Sequence, residues 1–226
     1  MSIAITISTY DGIVIASDSR LLCVDEKFSI DIAQKIFIMN HKVCIAIAND
    51  FIKDCVDLRS SIREYINENK HNKSISDVVR DFYSEFDIPR NESQFKNFDT
   101  FINIIGYDAD YIPQSILIKT KQCPPDKESL HGYFIKILHP QEDEITTYIE
   151  KINADYDAKV SEIGVLKAIE LCKLWIKEAA KIHNDIGGSV DIILMTKDKT
   201  RWIKDKRFRQ YCLSQLFSKR LINSSK

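Results

Sequence analysis

Residues 11–20 read DGIVIASDSR, and they combine a hairpin with a chemically unusual strand end. Asp11-Gly12 is a frequent hairpin turn, and the apolar or small residues 13–17 are typical of a buried strand. Asp18 and Arg20 then bring a carboxylate and a guanidinium to the end of that strand. A core strand has no obvious use for these groups, so the sequence raises the question of what they do there.

The segments around this hairpin continue the strand pattern. Ile3, Ile5 and Ile7 alternate with small or polar residues, which predicts a strand that pairs with 13–17. A second hairpin is predicted over 35–48, where an Asn-His-Lys turn separates two apolar runs. Further strands are predicted at 101–107, 115–120, 133–138 and 190–195.

Apolar residues recur at helical spacing in three other segments. The first helix is predicted after a cap at Asn49 or Asp50, and the second from Ser76. The strongest helix is predicted over 161–182, where the apolar band is too wide for one solvated face, so we expect this helix to be covered on two sides. The charged run 141–144 predicts a loop.

The order of these elements indicates the fold class. Strand pairs precede helices, and units of alternating strand and helix are missing, which indicates layered α+β packing. Two sheets covered on their outer faces by helices, a four-layer αββα sandwich, would accommodate both the strands that are apolar on two faces and the wide helix band. We expect one domain over 1–226, with a basic tail from about residue 201 that has a helical pattern over 207–221.

Composition excludes several classes of function. The chain has 44% hydrophobic residues and a net charge of -1, so we expect a soluble cytoplasmic protein that binds neither nucleic acid nor membrane. No signal-peptide pattern and no apolar run of about 18 residues occurs. The six cysteines and five histidines are dispersed, so we predict no disulfide framework, no metal site and no cofactor, but reduced and mostly buried thiols.

Four sequence motifs together resemble a known family. DGIVIASDSR, AQKIFIMN (33–40) and VCIAIAND (43–50) at the front and IGGSVDIILMTKD (186–198) near the end resemble a proteasome β-type subunit, a member of the N-terminal nucleophile (Ntn) hydrolases. The resemblance covers most of the chain in element order, and it is most specific in the first 50 residues and around Gly187-Gly188. It implies the Ntn-hydrolase form of the αββα sandwich.

The resemblance also implies a set of catalytic residues. In this family the first residue of the mature chain is the nucleophile, which implies Ser2 after removal of Met1. The family aspartate lies sixteen positions later, at Asp18, and the family lysine precedes an apolar pair, at Lys35. The oxyanion-hole amide falls at Asn49. Two residues differ from the family pattern: Ser2 replaces the usual threonine, and Asn49 replaces the usual glycine.

Each of these residues would have a defined chemical role in amide hydrolysis. A serine hydroxyl is a poor nucleophile unless a base takes its proton, and a free α-amino group with a pKa of roughly 7.7 to 8.0 suits that role. An ammonium at Lys35 would lower the pKa of the amine, and Asp18 would hold that ammonium charged and oriented. The backbone N–H of Asn49 would donate to the developing oxyanion.

Helper and pocket residues are implied more loosely. Arg20, and His183 or Asp185 near the position of a family aspartate, are candidate helpers. Ala33, Ile47 and Phe51 fall near family positions that line the substrate pocket, which favours an apolar side chain beside the cleaved bond. Each residue also has a plain structural interpretation: a surface ion pair for Asp18 and Arg20, an edge-strand lysine at 35, a helix cap at 49 and core packing for Ile47 and Phe51.

Three functional hypotheses follow. The first is a peptidase that uses Ser2 inside a ring-shaped homo-oligomer, with any unfoldase partner unknown. The second is an Ntn amidohydrolase that acts on a small amide. The third is a non-catalytic scaffold subunit that keeps Met1. An Asp18–Lys35 pair favours the two enzymes, whereas a family serine that has no match in 141–145 favours the scaffold.

Overall fold

A computed structural model describes most of the chain. The described residues are 2–23, 28–31, 33–48, 58–69, 73–86, 100–120, 126–139 and 142–203. Over these ranges the fold is a mixed α+β arrangement of two five-stranded antiparallel sheets, one separate hairpin and four α-helices. None of the described helices has the length and apolar character needed to cross a membrane.

The described residues form twelve strands, and the first of them begins near the N-terminus. They are β1 (Ala4–Thr9), β2 (Gly12–Ser17), β3 (Leu21–Cys23), β4 (Phe28–Ile30), β5 (Ile36–Ile38), β6 (Val43–Ala48), β7 (Phe101–Tyr107), β8 (Pro113–Lys119), β9 (Asp126–His131), β10 (Phe134–Leu138), β11 (Asp191–Met195) and β12 (Thr200–Trp202). The first sheet has the order β10-β1-β2-β11-β12, and the second has the order β5-β6-β7-β8-β9. β3 and β4 pair with each other as the separate hairpin.

The helices lie on the outer faces of the two sheets. They are α1 (Leu58–Asn69), α2 (Ile75–Phe86), α3 (Asp143–Tyr156) and α4 (Val165–Ile182), with a 3₁₀ helix (Asp157–Glu162) between the last two. α3 and α4 pack on the first sheet, and α1 and α2 pack on the second. The remaining face of each sheet meets the other sheet.

Strand β1 is buried on both of its faces. Its residues Ile5 and Ile7 lie in the core against α3 and α4, together with Trp175. Ala4 points the other way, into the core between the sheets, which also contains Ile36. Because side chains alternate along a strand, both faces of this central strand are buried, and the face that carries Ala4 also carries the buried polar residues Thr6 and Ser8.

Most of the strand and helix predictions are confirmed. The β1–β2 and β5–β6 hairpins, the later strands β7, β8, β10 and β11, and helix α2 occur where the sequence placed them. Layered α+β packing is confirmed as well. Residues 49–57 lie outside the described residues, so the cap predicted at Asn49 or Asp50 has no structural account, and the same holds for the tail over 204–226.

Several local features differ from the predictions. The run predicted as a loop contains the start of α3, because Asp143 and Glu144 lie in the first helical turn, where carboxylates interact favourably with the helix dipole. β9 was not predicted, since this edge strand is largely exposed and lacks an apolar period. The short strand β12 was also missed. Helix α4 begins at Val165 rather than 161, after a 3₁₀ turn and Gly164 at its N-cap.

The cover of α4 also differs from expectation. Its buried face packs on the first sheet, through residues that include Trp175 and Ile176. Leu166 and Leu174 are exposed on its opposite face. The described part of the chain therefore covers α4 on one side, not on two.

The structure predicts that two cysteines are chemically inert. Cys44 on β6 and Cys172 on α4 are free and buried. Burial raises the pKa of both thiols far above its usual value, because a thiolate in apolar surroundings loses its solvation. We expect neither thiol to be alkylated by iodoacetamide in the folded protein and both to be alkylated in urea. Peptide mass mapping checks this, and equal labelling in both conditions would contradict the burial.

Candidate active site

A buried ion pair joins the ends of the two sheets. Asp18 directly follows β2 in the first sheet, and Lys35 directly precedes β5 in the second. Lys35 Nζ lies 2.8 Å from Asp18 Oδ1, and the side chains are only 2% and 0% exposed. A buried pair of this kind requires good geometry, because both charges have lost their water.

Three backbone N–H groups complete the surroundings of the Asp18 carboxylate. Ile3 N donates to Oδ1 at 3.0 Å, and Arg20 N and Gly187 N donate to Oδ2 at 3.2 Å each. With Lys35, each carboxylate oxygen therefore accepts two hydrogen bonds. Such donors occupy both oxygens of the carboxylate and hold it in one orientation.

This arrangement places Ser2 beside the ion pair. The Ile3 nitrogen that contacts Asp18 belongs to the peptide bond between Ser2 and Ile3. Asp18 N in turn donates to Ile3 O at 3.3 Å, so the start of the chain continues the pairing of β1 with β2. Ser2 is itself buried. The backbone that follows the predicted nucleophile thus contacts Asp18, and the same Asp18 oxygen binds Lys35.

A glycine loop closes the site from the far end of the chain. Gly187 O accepts hydrogen bonds from Ser19 N and Arg20 N, both at 3.0 Å. A Cβ at Gly187 would lie 2.6 Å from Arg20 Cζ, and a Cβ at Gly188 would lie 2.6 Å from Ser19 Oγ. Gly188 also has a φ of +74°, which side chains disfavour. Glycine is therefore required at 188 by its backbone conformation and close packing, whereas a side chain at 187 would displace the Arg20 guanidinium.

The Arg20 side chain does not pair with Asp18. Its Nε and Nη2 donate to the two carboxylate oxygens of Asp31 at 2.8 and 3.0 Å, and its Nη1 donates to Asn184 O at 2.8 Å. The hydrogen bond from Arg20 holds the pKa of the Asp31 carboxyl below its usual value, and Asp31 raises the pKa of Arg20. Asp31 was missed from the sequence, since nothing near it marks it as the partner of Arg20.

The candidate helpers His183 and Asp185 lie in the loop between α4 and β11. His183 Nε2 lies 2.7 Å from Glu142 Oε2, and His183 Nδ1 accepts a hydrogen bond from Asp185 N at 3.2 Å. Asp185 contributes to the raised pKa of Arg20. Asp185 therefore lies close enough to Arg20 to affect its charge, whereas His183 contacts Glu142 and the backbone of Asp185. The contacts of the Asp18 carboxylate come from other residues.

The predicted pocket residues are separated by the structure. Ala33 is buried, and its N–H donates to Ser19 O at 2.8 Å, which places it beside the site. Ile47 N donates to Lys35 O at 2.9 Å, but the Ile47 side chain lies in the core between the second sheet and helices α1 and α2. Phe51 lies outside the described residues, and so does Asn49, the predicted oxyanion-hole residue. A pocket role for these residues stays a prediction.

The charges available at the site favour acid–base chemistry. A buried ammonium and a fully hydrogen-bonded carboxylate lie next to the first residues of the chain. Over the described ranges, no three His, Cys, Asp or Glu side chains are grouped as a metal ion would require. The positive charge of Lys35 would favour the neutral form of any amine placed beside it.

Comparison with known proteins adds no assignment. No protein-family model matches this chain, and no curated protein matches it in sequence.

Proposed function

We propose that this protein is a hydrolase whose nucleophile is Ser2, exposed as the first residue by removal of Met1. The observation that carries the proposal is the shared oxygen Asp18 Oδ1, which contacts both Lys35 Nζ and the Ile3 nitrogen adjoining Ser2. It places a buried ammonium close to the point where a new chain terminus would form. The substrate would be a peptide or a small amide.

The proposed reaction has two steps. The Ser2 hydroxyl attacks the carbonyl carbon while its proton passes to the neutral α-amine of the same residue. The C–N bond then breaks as the ammonium returns a proton to the leaving nitrogen, which leaves an ester on Ser2. A water molecule, deprotonated by the same amine, hydrolyses that ester. Lys35 keeps the amine neutral between these transfers, and Asp18 holds Lys35 in place.

The layering of the chain supports the same proposal. Two antiparallel sheets with helix pairs on their outer faces agree with the αββα sandwich that the resemblance implies. In the proposal the Asn49 N–H supplies the oxyanion contact. We further propose that the protein acts in the cytoplasm, where methionine aminopeptidase removes methionine before serine, and that it assembles into a ring-shaped homo-oligomer.

Processing of the N-terminus is the decisive experiment. An α-amine that is still bonded to Met1 cannot act as a base. We expect the intact mass of the protein from its own cytoplasm to lack one methionine residue. A free N-terminal serine carries adjacent amine and hydroxyl groups, so periodate should convert it to a glyoxylyl group with a second defined mass change.

Ser2→Ala is the matched control for this experiment. Alanine also permits removal of Met1, so this variant should lose methionine but resist periodate. A protein that retains Met1 quantitatively would contradict the proposed reaction, and it would favour a non-catalytic scaffold subunit.

A further inference from the structure

His183 ends helix α4, and all of its polar groups have partners. Its backbone N–H donates to Ala179 O at 2.9 Å, and its carbonyl accepts a hydrogen bond from Ile186 N at 3.1 Å. Its ring contacts Glu142 Oε2 through Nε2 at 2.7 Å and the Asp185 N–H through Nδ1 at 3.2 Å. The side chain is only 13% exposed. It therefore joins the loop after α4 to the start of α3.

These hydrogen bonds determine where the neutral ring carries its proton. The Asp185 N–H donates to Nδ1, so Nδ1 is the unprotonated nitrogen. The ring proton then lies on Nε2, which donates it to the Glu142 carboxylate. The neutral ring satisfies both contacts in this one tautomer.

A second proton on the ring would affect the two contacts in opposite ways. Both nitrogens of an imidazolium are donors, so Nδ1–H would face the Asp185 N–H, and that hydrogen bond would be lost. The contact with Glu142 would become stronger, because it would join two opposite charges. Since the stronger contact holds the ring in place, the loop backbone moves and the ring stays.

The charged groups around the ring come from three directions. The Glu142 carboxylate faces it from the start of α3 and favours the imidazolium. The C-terminal end of α4 also favours a cation, and there Lys181 is paired with Glu178 at 2.7 Å. On the loop side lie Asp185 and Arg20, and Asp185 contributes to the raised pKa of Arg20. The charge in direct contact with the ring is therefore negative.

The loop after α4 also holds the Asp18 carboxylate in place. Asn184 O accepts a hydrogen bond from Arg20 Nη1 at 2.8 Å, and Gly187 N donates to Asp18 Oδ2 at 3.2 Å. Asp185 lies between these two contacts along the chain. A displacement of the Asp185 N–H therefore disturbs the loop at the point where it meets Asp18.

We propose that His183 is a proton-sensitive latch on the loop 183–188. The neutral ring keeps the loop closed on the Asp18 carboxylate, and the protonated ring releases it. Histidine is the side chain whose charge changes between about pH 5 and about pH 8, so the latch would respond within that range. It does not depend on the proposed hydrolysis, because it concerns only the hydrogen bonds between the loop and its neighbours.

Amide hydrogen exchange on the full chain tests the latch. Mass spectrometry of peptides that contain 183–188 gives the exchange rate, and comparison with the rate of the unfolded chain at the same pH gives a protection factor. From about pH 8 to about pH 5 this factor should fall roughly five- to tenfold in the wild type, the effect of losing a hydrogen bond. Peptides from β7 (Phe101–Tyr107), which contains no histidine, should keep their protection.

Two variants separate the proton from the contact. His183→Asn cannot gain a proton, but its side-chain oxygen can still accept a hydrogen bond from the backbone N–H two residues later. Protection of the loop should then be the same at both pH values. Glu142→Gln keeps an acceptor for Nε2–H but removes the negative charge that favours the imidazolium. In this variant the loss of protection should move to lower pH.

Constant protection in the wild type, an equal loss in His183→Asn, or an unchanged pH dependence in Glu142→Gln would each overturn the latch. A loss of protection that includes β7 would also overturn it, because the whole fold would then respond to acid. Removal of Met1 and hydrolysis by Ser2 have separate measurements, so failure of the latch would leave the proposed function unaffected.

Discussion

Replacing Ser2 by alanine should lower amide hydrolysis by roughly 10⁶-fold, to the background rate, because the proposed reaction loses its only nucleophile. The hydroxyl is the group that forms the ester, and no other side chain in the proposal replaces it. Hydrolysis of a panel of internally quenched peptides and small amides, followed by mass spectrometry of the products, measures the loss. Ser2→Thr should retain activity, since it keeps both the hydroxyl and the amine.

Lys35→Met and Asp18→Asn should each lower the same activity by roughly 10²- to 10⁴-fold, the usual contribution of a well-placed general base. Their effects should not add, because both act through the state of the Ser2 amine. A variant that combines Ser2→Ala with either Lys35→Met or Asp18→Asn should be no slower than Ser2→Ala alone. Full activity in a folded Lys35→Met protein would contradict the mechanism, whatever the result for Ser2.

The pH dependence gives a second signature of the same unit. Activity of the processed protein should increase with pH as the Ser2 amine becomes neutral, with an apparent pKa at or below the usual α-amine value of roughly 7.7 to 8.0. Without the ammonium of Lys35 the amine is easier to protonate, so the rise should move to higher pH in Lys35→Met. A loss of structure would lower activity at every pH and would not move the profile.

The second large effect concerns stability. Lys35→Met should lower the free energy of unfolding by about 3 to 5 kcal/mol, because it leaves the Asp18 carboxylate buried without its ammonium. Asp18→Asn should cost a similar amount, since it leaves the ammonium buried without its carboxylate. Urea unfolding followed by circular dichroism measures both, with the slope on urea concentration as a check that unfolding remains two-state.

Removing both charges should cost less than the sum of the two single losses. In Lys35→Met with Asp18→Asn no unpaired charge remains, so the double variant should be more stable than the sum predicts. Lys181→Met is the matched control, because the Lys181–Glu178 ion pair is exposed but has nearly the same N–O distance, 2.7 Å against 2.8 Å for Lys35–Asp18. That substitution should change stability by less than about 1 kcal/mol. Equal losses for the buried and the exposed lysine would show that burial of the Asp18–Lys35 pair carries no cost.

The local sequence determined the elements whose apolar period is unambiguous. The hairpin at Asp11-Gly12, the two hairpin strands on either side of residues 40–42 and helix α2 follow from spacing of two or about 3.6 residues between apolar side chains. The same information failed at β9, where exposure removes the period. It also failed at α3, where the acidic start favours a helix through the dipole and not through apolar spacing.

The sequence also named Asp18, Lys35 and Ser2 as neighbours, through their spacing and the family they resemble. Only the tertiary structure decided how they are held. Asp18 is 17 residues from Lys35 but 169 residues from Gly187, whose N–H completes the hydrogen bonding of the same carboxylate. Asp31 likewise accepts hydrogen bonds from Arg20 because the β3–β4 hairpin brings the two residues together. Local patterns carry information about which residues face a core, because that depends on neighbours one helical turn or two strand positions away. Which donors surround a buried charge depends on chain segments brought together by packing, and no local pattern contains that information.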